Sequence, residues 1–264
     1  MNESYRILRM DLENIGVCSG DVLVVHSSLK SMGQVDGGAS CVISAISDAI
    51  GEEGTLIFPT FTYRTSYKES FYSNKDTPSC VGLISETFRK MEGVIRTDHP
   101  THSVALRGKL MDSLVENERL NDTPMGKYSP YRRLADVGAR ILMLGCSLST
   151  NSFIHAMEEE AGVEYVLRDH QEYTVVDANG NQFTRRIRRH NFARTDGAIY
   201  QRYDRTLSVL DTNDYKIAKI HNAESVLIDS AALKAKALKK MKEDPLYFVD
   251  DPNGYYSNGC RSNL

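Results

Sequence analysis

Three short runs in this chain contain no polar residue: Val22-Leu23-Val24-Val25, Leu56-Ile57-Phe58 and Ile141-Leu142-Met143-Leu144. A strand with one wet face alternates apolar and polar side chains, whereas an unbroken apolar run suits a strand buried on both faces. Each run stops abruptly, the first at His26-Ser27-Ser28, the second at Pro59 and the third at Gly145. These are therefore core strands whose ends hand the chain to polar turns. Ser225-Val226-Leu227-Ile228 reads as a further strand, and Val104-Ala105-Leu106 as a short one ended by Gly108.

Between the strands the apolar period changes to that of a helix. Residues 3–16 carry a stripe of Ile7, Leu8 and Leu12, and Ala39–Ile50 one of Val42, Ala45, Ile46 and Ala49. Leu83–Met91, Leu110–Glu116 and Tyr131–Val137 read as shorter helices, and Ile199–Leu210 as another. Asp229 or Ser230 caps an Ala/Lys-rich helix running to about Glu243, followed by a loosely held Gly/Asn/Ser-rich tail. The stretch from Thr60 to Cys80 has little periodicity and reads as a long loop, and Asn121–Pro130 as a shorter one. Glu172–Val176 and Gln182–Arg189 flank Asn179-Gly180, the signature of a hairpin.

The chain has 264 residues, 41% hydrophobic and 25% charged, with no internal repeat or low-complexity linker. One domain over 1–264 is expected, with about 170–222 a β-rich part within it. A net charge of −3 gives no general reason to bind nucleic acid. No apolar stretch approaches the roughly 18 residues that span a membrane, and MNESYRILRM has no signal-peptide core. The five cysteines, Cys18, Cys41, Cys80, Cys146 and Cys260, have no metal-site spacing and suit a reducing cytoplasm.

Several polar clusters follow the strands. His26-Ser27-Ser28-Leu29-Lys30 puts hydroxyls and accessible backbone N–H groups just after a buried strand, a setting that can hold an anionic or amide-rich ligand. Arg96-Thr97-Asp98-His99-Pro100-Thr101-His102-Ser103 suggests a hydrolase triad, but triad members are usually distant in sequence and the chain has no G-x-S-x-G elbow. After the third strand, Thr150 or Asn151 can cap a helix on which His155, Glu158 and Glu159 share one side. Ile154, Met157 and Ala161 form the adjoining core stripe. This arrangement suits a general base beside carboxylates, and equally an amphipathic helix with an acidic solvated face. Arg185-Arg186-Ile187-Arg188-Arg189-His190 reads as a solvated or edge strand, or as an anchor for ligand phosphates.

Taken together these clusters resemble the aminoglycoside 3-N-acetyltransferases, which use acetyl-CoA and lack the GNAT fold. The resemblance runs from about Leu12 to Leu167 through VHSSLKSMGQVDGGASCVISAI, GTLIFPTFTY, RTDHPTHSVALRG, TPMGKYSPYRRLADVGARILMLG and NSFIHAMEEEAGV, in that order. A weaker likeness continues through AESVLIDSAAL, and the family often has Thr where this chain has Ser152. The resemblance implies an α/β fold, a central mixed sheet flanked by helices with a smaller β-rich part. It implies acetyl-CoA as co-substrate and a small-molecule amine as acceptor; no metal is expected from the cysteine spacing, and a monomer or homodimer is expected. Ser27, Ser28, Leu29 and Lys30 would meet the pantetheine and pyrophosphate of CoA, with Ser103 on the same side.

His155 takes the family's general-base position, with Glu158 the nearest carboxylate to orient it. An imidazole titrates near neutrality and can accept the proton of an attacking amine, so direct transfer in a ternary complex needs no Ser or Cys nucleophile. His190 or Asp196 could also approach from the β-rich segment. An aminoglycoside is a polycation, so acidity is expected near His155 from Glu158, Glu159, Glu160 and Glu164, with Glu159, Asp98 and His99 as acceptor contacts. The arginine run would better suit an anionic acceptor, such as an amino sugar on a nucleotide diphosphate. Competing readings are N-acetylation of an amino sugar or other small amine, a non-catalytic CoA-binding protein, and a hydrolase acting without CoA.

Overall fold

A computed structural model describes residues 2–190, 192 and 199–254, so Asp196, Cys260 and the C-terminal tail lie outside the described residues. The chain runs α1 (Glu3–Ile15), β1 (Val22–Ser27), α2 (Gly38–Ile50), β2 (Thr55–Pro59), α3 (Tyr63–Glu69), β3 (Phe71–Ser73), α4 (Leu83–Phe88), β4 (Ile95–Arg96) and β5 (Val104–Gly108). It continues through α5 (Met111–Val115), α6 (Pro130–Arg133), β6 (Arg140–Leu144), α7 (Phe153–Ala161), β7 (Leu167–Val176) and β8 (Gln182–His190). Last come β9 (Tyr200–Gln201), β10 (Tyr215–Ile220), β11 (Ala223–Asp229), α8 (Ser230–Glu243) and β12 (Val249–Asp250).

Seven strands form the central sheet in the order β10-β11-β6-β1-β2-β5-β4. β1 is parallel to both β2 and β6, while β11, β10, β5 and β4 pair antiparallel, which makes the sheet mixed. The apolar runs are continuous because both faces are covered. Leu23, Val25, Leu56, Phe58, Leu142 and Leu144 face one core with α1, α2 and α4. Their neighbours Val24, Ile57, Ile141 and Met143 face a second core with α6, α7 and α8. Each such side chain contributes about 1.5–3 kcal/mol on burial. Alternation along a strand therefore sends successive residues to two different cores.

The hairpin forms as expected, and β8 is an edge strand of a separate three-stranded sheet, β3-β7-β8. The β-rich part is thus these three strands, while β10, within the 170–222 range, belongs to the central sheet. The Thr60–Cys80 stretch is not one long loop: it holds α3 and β3, and β3 pairs parallel with β7. Lack of period misled there because β3 is three residues long and gains its stability from a strand a hundred residues away. Ile199–Leu210 is not an α-helix either, since Tyr200–Gln201 pairs with β12 and Tyr203–Val209 is 3₁₀. None of the described helices is long and apolar enough to cross a membrane.

Candidate active site

The parallel strands β6, β1 and β2 all end on the same edge of the sheet, and the chain departs from β1 toward opposite neighbours. A crevice opens at such a switch point outside the carboxyl ends of the strands. Here it is a cleft of about 470 Å³ whose floor includes His26 and Ser27 from β1, Pro59 from β2 and Cys146 beyond β6. Gly145 makes the exit from β6 possible. Its φ is +64°, and a Cβ there would lie 2.6 Å from the Ala223 side chain. Its carbonyl accepts the Ser31 hydroxyl, and the Ser28 N–H donates to Leu144 O at 2.9 Å. The loops after β1 and β6 are therefore tied together at the cleft.

Helix α7 enters from the β6 side, with Asn151 Oδ1 accepting the Phe153 N–H at 3.2 Å. Its His155 lines the cleft and its Glu158 is fully buried behind it. His155 Nδ1 lies 3.0 Å from Glu158 Oε2. The Tyr203 hydroxyl donates to the same oxygen at 2.6 Å and stands 2.7 Å from Nδ1, while Tyr165 donates to Glu158 Oε1 at 2.9 Å. Burial and the adjacent Glu158 hold the Tyr203 phenol well above its usual range, so it remains a donor. On the other side of the ring, Gln201 Nε2 lies 3.1 Å from His155 Nε2. A ring with its proton on Nδ1 and a lone pair on Nε2 satisfies every one of these contacts. This places the basic nitrogen of His155 toward the cleft.

A second His–carboxylate pair stands beside the first. The rings of His155 and His190 stack with centroids 4.2 Å apart, and His190 Nε2 is 2.7 Å from Glu159 Oε1. His102 packs edge-on to His190 at 4.7 Å and its Nδ1 meets Thr101 Oγ1 at 2.8 Å. Burial drives His99, His102 and His190 well below the usual imidazole range and His26 down to about 4. Burial also raises the Glu159 carboxyl to about 7. The cleft is thus walled by the neutral imidazoles of His26, His102 and His190 and by aromatic rings including Phe61, Tyr63 and Phe192.

The remaining residues singled out in the sequence are dispersed. Ser27 lines the cleft, whereas Ser28, Leu29 and Lys30 do not: Ser28 caps a 3₁₀ turn and Leu29 packs on the first core. Ser103 is fully buried and its hydroxyl donates to Thr60 O at 2.7 Å, so it faces the interior and not the cleft. His99 Nδ1 accepts the His102 N–H at 3.0 Å and builds the turn around Pro100. Asp98 lines a different depression, where Arg119 meets it at 2.5 Å and Asn74 at 2.8 Å.

The acidic solvated face of α7 is absent. The Glu159 side chain is only 3% exposed and accepts the Met125 N–H at 2.8 Å, and Glu160 pairs with Arg132 and Lys234. Glu158 and Glu159 are covered because the 3₁₀ segment and β8 pack over the face that the sequence leaves polar. No carboxylate lines the cleft among the described residues. The arginine run divides: Arg185 is buried against Glu118 at 3.2 Å, and Arg188 donates to Arg168 O at 2.7 Å.

Tyr203, Tyr165 and Gln201 carry no local signal, since isolated Tyr and Gln residues are ordinary in any chain. Packing of the 3₁₀ segment and β9 brings Tyr203 and Gln201 to His155, while Tyr165, just past α7, reaches Glu158. Of the two residues expected to approach from the β-rich segment, His190 stands beside His155, and Asp196 lies outside the described residues.

The model of the aminoglycoside 3-N-acetyltransferase family matches residues 24–242. The chain is 31% identical over 169 residues to aminoglycoside N(3)-acetyltransferase III of Salmonella sp, a stretch that covers 58% of this chain and 59% of that relative. It is 28% identical over 245 residues to the Salmonella sp type IV enzyme, covering 92% and 89% of the two chains. The crystal structure of aminoglycoside acetyltransferase AAC(3)-IVa, an apoenzyme, superposes with a TM-score of 0.72 at 25% identity over 92% of this chain and 90% of that one. The AAC-IIIb binary structure with CoASH has the same fold, with a TM-score of 0.76 at 22% identity over 90% and 96%. Sequence and fold agree across most of the chain, which belongs to the aminoglycoside 3-N-acetyltransferase family.

Proposed function

We propose that the protein transfers the acetyl group of acetyl-CoA to a primary amine of an aminoglycoside, at the 3-N position, with His155 as general base. The observation that carries this reading is the His155–Glu158–Tyr203 contact set, with Nε2 turned toward the cleft and Nδ1 held by a buried carboxylate. The amine nitrogen attacks the thioester carbonyl carbon, and Nε2 takes its proton as the C–N bond forms. The Glu158 carboxylate behind Nδ1 fixes the tautomer and stabilises the imidazolium, as an Asp does in a hydrolase triad. Gln201 yields its place on Nε2 to the incoming amine. Transfer is direct, in a ternary complex, and expels the CoA thiol.

The donor lies along the loop after β1, with Ser27 lining the cleft and Ser28, Leu29 and Lys30 beside it; the CoASH-bound relative of the same fold supports this side of the reading. A second reading has a specific observation behind it. Glu158, Glu159 and Asp98 are all engaged within the protein, while Arg64 lines the cleft, a balance better suited to an uncharged or anionic small amine. A panel of amines, with release of the CoA thiol as readout, separates the two. Turnover with 2-deoxystreptamine aminoglycosides supports the first reading. Turnover confined to amino sugars or other small amines moves the acceptor to the second, and no turnover with any amine sinks both.

A further inference from the structure

We infer that His190 and Glu159 form a second proton-transfer unit, which protonates the departing CoA sulfur while His155 serves the amine. This rests on the acetyl-transfer reading above. The geometry is that of two parallel pairs on one helix: α7 supplies both carboxylates, Glu158 to His155 and Glu159 to His190, and the two rings stack at 4.2 Å. His190 lines the cleft, its Nε2 is committed to Glu159, and its Nδ1 is buried without a partner among the described residues. A buried ring nitrogen with no partner carries a desolvation cost, which a bound ligand can relieve.

Thioester aminolysis moves two protons, one from the nitrogen and one to the sulfur, and the His190 ring stacked on His155 puts a second imidazole at the cleft for the second transfer. In the second, the tetrahedral intermediate collapses, the C–S bond breaks and its electron pair leaves on sulfur. The proton on His190 Nδ1 passes to that sulfur while Nε2 takes the carboxyl proton of Glu159. The products are the amide, the free thiol, a Glu159 carboxylate and a His190 protonated on Nε2. Exchange with solvent returns the His155 proton to Glu159.

The surroundings favour this starting state. Burial raises the Glu159 carboxyl to about 7, so it holds a proton near neutrality, and burial keeps the His190 ring neutral. The groups facing the pair are His155 from α7, His102 and His99 from the turn before β5, and Arg132 from the end of α6. A proton on His155, stacked against the ring, opposes a positive His190.

The test compares wild type, His190→Gln and Glu159→Gln as full chains, with acetyl-CoA and with phenyl thioacetate, whose aryl thiolate leaves without needing a proton. With acetyl-CoA, both variants should lose about 100-fold in kcat with little change in KM, and the alkaline fall of the wild-type kcat should flatten. With phenyl thioacetate the loss should shrink to about threefold or less, a ratio within one variant that misfolding cannot produce. Equal losses with both donors, or an alkaline limb retained in the variants, would overturn the inference. If phenyl thioacetate is no substrate for wild type, the pH profile alone decides. A wild type inactive with acetyl-CoA and every amine instead sinks the acetyl-transfer reading.

Discussion

Tyr203 donates its hydroxyl to the Glu158 oxygen that also faces His155 Nδ1, at 2.6 and 3.0 Å. One carboxylate oxygen thus joins His155 of α7 to a residue forty-eight positions later. If this contact orients the base, Glu158→Gln should lower kcat by about 100- to 10,000-fold, because an amide cannot accept from two donors and still receive Nδ1–H. Tyr203→Phe removes one donor and leaves the pair, so its loss should be clearly smaller. Steady-state kinetics on both variants, with circular dichroism to confirm folding, checks the order.

Stability should fall in mild acid. The His26 pKa is depressed from 6.5 to about 4 by burial, so the unfolded chain binds this proton more readily. Its contribution is therefore present above pH 6.5 and is lost as pH falls toward 4, roughly 3 kcal/mol across that window. His99, His102 and His190 act in the same direction. Glu159, a carboxyl raised from 4.5 to about 7, acts oppositely because it contributes less as pH rises through that range, and the buried Glu118, also raised, acts with it. Four imidazoles outweigh two carboxyls, so urea midpoints should drop between pH 6.5 and 4. His26→Asn should reduce that slope.

The buried Arg185–Glu118 pair holds β8 to the segment after α5, with Arg185 also donating to Asn121 O at 2.7 Å. Arg185→Ala leaves a carboxylate buried without its cation and should cost about 3–5 kcal/mol. Thermal unfolding should register the loss, while KM for the acetyl donor should stay near wild type.

Gly145→Ala forces a side chain into φ +64° against Ala223. It should destabilise the fold by about 1–3 kcal/mol. It should also weaken CoA binding, since the loops after β1 and β6 share this point. Calorimetric titration with CoA alongside a melting curve would separate the two effects.

Strands β1, β2 and β6 were legible because both of their faces are buried, which leaves unbroken apolar runs. His155 and Glu158 were legible as neighbours because the helical period alone puts them on one side. The short strand Phe71–Ser73 and the pair Tyr200–Gln201 were not, since each is held by partners remote in sequence. The burial of Glu159 was hidden for the same reason: polar spacing on a helix signals solvent unless another element covers it, and here His190 and Met125 do. Ser103 looked like a ligand contact by position, yet its hydroxyl belongs to the Thr60 backbone.

The most direct measurement is the rate of acetyl transfer by His155→Ala beside wild type, with CoA affinity measured on the same samples. The account predicts a fall in kcat of about 100-fold or more with CoA binding unchanged. Acetyl transfer at the wild-type rate in His155→Ala would contradict it.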